Sequence, residues 1–199
     1  MDDIINPKDY PNMTQREVEE RVRAIRAHFE RFGFRPDIAG EHDFRLAFKA
    51  TFDFCIKPKG ICLVGGPGSG KTKLMDLVKA SIPSSRKFNL FDAQDCEWLV
   101  DHDTFDMWME KTALFLDDVG TERDANNYGV RSNVFADFIG RHYERMATGR
   151  HVARLFMTTN LAGDELIAKY GARVFSRMKE LFAFVKFEGG DHREMVVLK

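Results

Sequence analysis

The residues from Gly65 to Thr72 read GGPGSGKT and fit the pattern G-x-x-x-x-G-K-[ST]. Glycines strip side chains from this stretch and permit backbone dihedrals closed to other residues. A polyphosphate needs that bareness, because main-chain N–H groups must converge on its oxygens at close range. A helix beginning at Lys71 would add its positive dipole end. The phosphate-contacting set is therefore Gly66, Pro67, Gly68, Ser69, Gly70, Lys71, Thr72 and Lys73. Lys71 has the reach for the outer phosphates, and the Thr72 hydroxyl suits Mg²⁺.

Three further stretches carry groups that such chemistry requires. "ALFLDD" is an apolar run ending in Asp117 and Asp118. The first acid at such a strand end suits the Mg²⁺ shell, and the second suits orienting or deprotonating a water. "LFMTTN" is a second apolar run ending in Asn160. If the two runs are parallel strands, Asn160 sits at the same sheet edge as the acids, where ligands of open α/β sheets collect. "YGARVFSRMKEL" places Arg173 and Arg177 four residues apart, on one helical face. Both are candidates for stabilising transition-state charge. A charged surface helix would read the same way.

The elements that must hold these residues follow from periodicity. Thr14 and Glu17 form a capping-box signature. Val18, Val22, Ile25, Phe29 and Phe32 then recur at helical spacing until Gly33. "DFRLAFKATFDFC" repeats that spacing. After it the chain alternates. Strands are expected at "GICLVG", "RKFNLFDA", "ALFLDD", "ARLFMTTN", "FAFVKFEG" and "EMVVLK". Helices are expected over 71–80, over 94–111 with a break near 101–104, and over 130–147, 163–170 and 173–181. Residues 1–13, with Pro7 and Pro11, read as a loose arm. Strand–helix alternation predicts an α/β fold with a parallel sheet covered on both faces. The expected division is 1–40 as arm and amphipathic helix, and 41–199 as the core.

With 199 residues the chain can bury one sizeable core. Its 18 phenylalanines, against 4 tyrosines and 2 tryptophans, make that core aromatic. A net charge of −1 excludes a global field for nucleic acid, so any such binding must be local. Basic residues gather at Arg141, Arg145, Arg150, His151 and Arg154, and at Arg173, Arg177 and Lys179. Acids interleave with them, so a solvated face and a DNA track fit equally. Cys55, Cys62 and Cys96 are widely spaced with no CxxC pair, which points away from zinc and disulfides. The acidic start lacks a signal-peptide pattern, and no apolar run spans a membrane; a cytoplasmic protein is expected.

The order GGPGSGKT, LFLDDVGTE, MTTN, YGARVFSR and EGGDHR resembles the AAA+ ATPases of the DnaC/DnaI helicase-loader and IstB transposase-helper group, from about Phe44 onward. The resemblance implies a P-loop NTPase with a parallel five-stranded AAA+ sheet and no C-terminal lid domain. It implies ATP with Mg²⁺, since no guanine-reading NKxD follows. By resemblance Lys71 and Thr72 are the Walker A residues, Asp117 the Walker B metal acid, Asp118 the catalytic acid and Asn160 sensor 1. Arg177 matches the arginine finger acting on a neighbouring subunit's ATP, with Arg173 in the same box. Asp118 stands where many members carry glutamate. Aspartate is one methylene shorter, which implies slow hydrolysis or help from Glu122. The implied partners are further copies of the chain, single-stranded DNA, and a helicase or transposase. Two other classes share the P-loop. A small-molecule or nucleotide kinase would need a basic lid over its acceptor. A non-hydrolysing nucleotide-dependent scaffold would follow from a weak acid at position 118.

Overall fold

A computed structural model of the chain describes residues 4–81, 89–92, 102–111, 113–122, 125–127 and 130–187. They divide into two compact units. One holds residues 4–58, 66–81 and 187; the other holds 59–65 and the described residues from 89 to 186.

The first unit is helical. Its longest element, α1 (Gln15–Arg31), starts at a complete capping box. Thr14 Oγ1 accepts from the Glu17 N–H, and the Glu17 carboxylate accepts from the Thr14 N–H at 2.7 Å. Those bonds hold the Glu17 carboxyl below its usual range. Val18, Ile25 and Phe29 form the buried stripe. A short helix, α2 (Pro36–Ala39), precedes α3 (Glu41–Ile56), and α4 (Lys71–Ser81) packs on both α1 and α3. Phe29 is the centre of this core, with the rings of Phe34, Phe44 and Phe48 between 5.1 and 5.5 Å away. Edge-to-face contacts of this kind add to what area burial alone supplies.

The arm is docked rather than loose. Pro7–Asp9 form a turn of 3₁₀ helix capped by Asn6, and Ile5 and Tyr10 are buried. The Tyr10 ring lies 4.9 Å from Phe52, and its hydroxyl donates to Asp53 at 2.8 Å. Burial, then the Asp53 carboxylate, pushes this phenol above its ordinary range. Lys49 and Lys57 approach the same ring and carboxylate. The prolines that suggested a loose segment instead fix a turn.

The second unit contains the sheet. Its strands are β1 (Gly60–Val64), β2 (Asn89–Asp92), β3 (Ala113–Val119), β6 (Arg154–Thr159) and β7 (Phe182–Lys186). They lie in the order β2-β3-β6-β1-β7 with every neighbouring pair parallel. Helices α5 (His102–Met109), α6 (Val134–Ala147), α7 (Gly163–Tyr170) and α8 (Ala172–Leu181) complete the unit. One phase of the strands, with Cys62, Leu114, Leu116, Leu155 and Met157, packs on Phe105, Phe135, Phe138 and Met178. The other phase, Ile61, Leu63, Phe115 and Phe156, is buried as well. Both faces are thus covered, as near-continuous apolar strands require. Burial pushes the Cys62 thiol well up, so it behaves as a small apolar group.

One boundary differs from expectation. Residues 130–132 do not open the long helix. They form β5 (Val130–Ser132), antiparallel to β4 (Ala125–Asn127), and α6 starts at Val134 behind the Asn133 cap. Asn133 Oδ1 accepts from the Ala136 N–H at 2.9 Å, which sets the helix start. The expected strand "EMVVLK" and the first part of the expected 94–111 helix lie outside the described residues.

His142 ties α6 to the start of β6. Its Nε2 lies 2.8 Å from the Ala153 carbonyl, which can only accept, so Nε2 carries the proton. Nδ1 is buried without a hydrogen-bond partner. Burial holds the pKa of His142 below its ordinary 6.5, because the imidazolium would have to be desolvated. The contribution of this group is complete above pH 6.5 and is lost as pH falls through the lowered value. Urea unfolding from pH 8 to 5 should show a decline below pH 6.5 that is shallower in His142→Leu. A second expectation concerns the arm: Tyr10→Phe keeps the ring contacts but loses the Asp53 bond. It should lower unfolding stability by about 1 kcal/mol, read from the same denaturation curves.

Candidate functional site

The glycine loop belongs to the first unit from Gly66 onward. Gly68 and Gly70 have φ of 75° and 89°, values that a side chain disfavours. A Cβ on Gly66 would meet nothing within 4 Å, so that main chain is open to a ligand. The hydrogen-bond ladder of α4 starts with the Leu74 N–H on the Gly70 carbonyl. The N–H groups of Lys71, Thr72 and Lys73 therefore lie ahead of that ladder, at the positive end of the helix. Lys71 is only 5% exposed, and its ammonium turns back into the loop. It donates to the Gly66 carbonyl at 2.8 Å and lies 3.4 Å from Ser69 Oγ. A buried cation inside a ring of main chain suits phosphate oxygens. Thr72 and Lys73 are exposed.

In the second unit the sheet brings the two acids and the amide together at its carboxyl end. Asp117 and Asp118 lie just before the last residue of β3, and Asn160 directly follows β6, its parallel neighbour. The link between them is Thr158. Its hydroxyl donates to Asp117 Oδ1 at 2.5 Å and accepts from the Asp118 N–H at 2.9 Å. On the next residue, Thr159 Oγ1 donates to the Val119 carbonyl and accepts from the Leu161 N–H. The Thr159 carbonyl takes the N–H of Gly65, the residue that follows β1.

The ladder is irregular here. Leu116 pairs with Met157 and Val119 with Thr159, so three steps along β3 match two along β6. That is a one-residue bulge at the two acids. Asp118 has φ of 53°, the only described non-glycine residue with positive φ. Such a conformation costs about 1–3 kcal/mol and persists where surrounding bonds over-determine it. In an unbroken strand two adjacent carboxylates would point to opposite faces. The bulge breaks that alternation.

Two expectations on other residues change. Glu122 does not stand ready to assist at the acids. It is buried, and its carboxylate takes the Gly120 N–H at 2.8 Å and the Tyr170 hydroxyl at 2.5 Å, with Lys169 Nζ at 3.7 Å. Arg173 and Arg177 share α8 but not an environment. Arg173 is exposed, whereas Arg177 lies against α6 with its side chain 16% exposed. Its guanidinium sits 5.1 Å from the Tyr143 ring centroid and 3.5 Å from Glu144. A Cβ on Gly140 would come within 3.1 Å of Arg177 Nη1. In the basic cluster, Arg145 bonds Asp106 and Glu110 at 2.6 Å each and the His151 carbonyl at 2.7 Å. Its charge is matched within the chain.

Sequence reasoning missed Thr158. A signal was present, since Thr158 and Asn160 are two apart and so share a strand face. Tyr170 had no comparable signal, because its partner Glu122 is distant in sequence.

The architecture matches solved structures. The DnaC helicase loader aligns with a TM-score of 0.57 at 20% identity, over 76% of this chain and 91% of that one. The chain has the fold of the DnaC helicase loader. AMPPCP-bound DnaA from Aquifex aeolicus aligns at 0.53 and 16% identity, over 78% of this chain and 49% of that one. The replication initiator DnaA bound to AMPPCP and single-stranded DNA gives 0.53 and 18%, over 75% and 46%. This chain thus spans about half of each DnaA chain. No protein-family model and no curated protein matches it. Among the described residues, no helix is long and apolar enough to cross a membrane, and no cluster of three or more metal-ligating side chains occurs.

Thr158→Val keeps the shape but removes the Thr158 acceptor of the Asp118 N–H and the Thr158 donor to Asp117. The variant should unfold about 1–3 kcal/mol more easily, measured by urea denaturation near neutral pH.

Proposed function

We propose that this chain is an ATP-binding and ATP-hydrolysing AAA+ protein that acts as an assembly or loading factor in DNA replication or transposition. The observation that carries the reading is the glycine loop: it opens α4, has two glycines at positive φ, and holds a buried lysine ammonium. The fold it shares with the DnaC helicase loader and with nucleotide-bound DnaA supports the same assignment.

Residues 41–199 form the ATPase core. Gly66 to Lys73 bind the phosphates, and Lys71 exchanges the Gly66 carbonyl for outer phosphate oxygens. Thr72 and Asp117 are the residues that would hold Mg²⁺, which would neutralise charge on the phosphates. Thr158 keeps Asp117 oriented by donating to it. Asp118 takes the proton of the attacking water or aligns it, and Asn160 fixes that water from the next strand. Arg177 stabilises transition-state charge on a neighbouring copy's nucleotide after leaving its seat on Tyr143, and Arg173 supports it from the same helix. Single-stranded DNA and a helicase or transposase are the partners. The DnaA likeness, solved with single-stranded DNA, supports the nucleic-acid part.

Trans completion makes activity depend on association. Phosphate release per subunit should rise with protein concentration, and Arg177→Ala should lose that rise, lowering the plateau on the order of a thousandfold, with ATP affinity retained. Lys71→Ala should weaken fluorescent-ATP binding by at least about tenfold, or roughly 1.4 kcal/mol. A specific rate that is flat from dilute to micromolar protein would falsify the trans arrangement. Unchanged affinity in Lys71→Ala would remove the phosphate cradle.

A further inference from the structure

A buried carboxylate with no place in the hydrolytic scheme sits four residues beyond Asp118. The Glu122 side chain is 2% exposed, which is costly for an anion unless it is fully bonded. It is: Oε2 accepts from the Gly120 N–H, and Oε1 accepts from the Tyr170 hydroxyl beside the Lys169 ammonium. Tyr170 ends α7, and its ring packs 4.9 Å from Phe135 of α6. Glu122 therefore fastens the exit of β3 to a helix that is itself anchored in the core.

What it fastens is the turn that carries Asp118. The Thr121 N–H and hydroxyl both donate to the Asp118 carbonyl, at 3.1 and 2.8 Å. Thr158 takes the Asp118 N–H from the other side. Gly120 turns at φ of 112°, where a Cβ would lie 2.7 Å from Leu161 Cδ1. The Asp118 backbone is thus gripped at both ends, and Glu122 closes the turn by binding Gly120. Backbone strain at a residue of chemical interest persists only under such over-determination.

We propose that Glu122, with Tyr170 as its anchor, is a positioning residue for Asp118. It locks the bulged turn that aims the shorter aspartate carboxylate at the attacking water. The inference deepens the ATPase reading above and rests on it for its kinetic part. Its geometric part, that Glu122 holds the turn, stands apart from any reaction.

The test uses the whole chain with Tyr170→Phe and Glu122→Gln, both of which conserve shape, and Asp118→Asn as the benchmark. Two readouts are taken. The first is amide hydrogen exchange over residues 118–122, which reports local opening. The second is ATP turnover, resolved into kcat and KM, with fluorescent-ATP affinity measured alongside. The lock predicts faster exchange at Asp118 and Gly120 in both variants. It also predicts kcat lower by about ten- to a hundredfold with KM and affinity unchanged, as misplacement of a reacting group produces. Unchanged exchange in both variants overturns the lock, whatever the kinetics. Faster exchange with wild-type kcat in both overturns the positioning role and leaves Glu122 as a purely structural tie. If the wild-type protein and Asp118→Asn alike release no phosphate, the hydrolytic reading fails. The positioning role fails with it, while the exchange data still decide whether Glu122 holds the turn.

Discussion

The Thr158 hydroxyl sets the geometry at the carboxyl end of the sheet. A hydroxyl can donate and accept at once. Here it donates to the Asp117 carboxylate and accepts from the Asp118 N–H. It thereby holds two adjacent acids of β3 against a neighbouring strand at the place where the ladder slips by one residue. Without that pair of hydrogen bonds a main-chain donor at the bulge would lose its Thr158 acceptor beside a carboxylate, a loss that folded proteins avoid. The positive φ of Asp118, the Thr121 turn and the buried Glu122 lie within five residues of that slip.

The glycine loop solves a related problem in a different way. At the acids, side chains hold the main chain in an unusual shape. In the loop, side chains are few, and glycines at positive φ give the main chain its shape. Lys71 is the one large side chain the loop draws inward, and its ammonium rests on a loop carbonyl and beside a serine hydroxyl. Both arrangements are supported by aromatic packing within their own units. Phe29 anchors the helices against which α4 lies, and Phe135 and Phe138 anchor the helices around the sheet.

Periodicity made most elements legible. The apolar stripe of α1, the capping box at Thr14 and the short buried strands are local features, and each has a local physical cause. Legibility failed where a distant residue decided the outcome. The arm is ordered because Tyr10 finds Asp53 and Phe52. Helix α6 starts late because residues 130–132 pair with 125–127, and a helical spacing of apolar residues does not reveal a competing hairpin partner. Arg173 and Arg177 looked equivalent on a helical wheel, yet only Arg177 faces the gap above Gly140 and the ring of Tyr143.

The sequence alone determined the chemistry on offer: a side-chain-poor loop ending in Lys-Thr, two acids and an amide at the ends of apolar strands, and paired arginines on a helix. Residue type and short-range spacing encode these, because a strand, a P-loop turn or a helix start is built from neighbours in the chain. The tertiary structure decided how those groups are aimed. It placed β3 beside β6 so that Thr158 could grip both acids, and it buried Glu122 against Tyr170, 48 residues away. Hydrogen bonds between residues so far apart have no footprint in local pattern; they exist only once the strands and helices have packed.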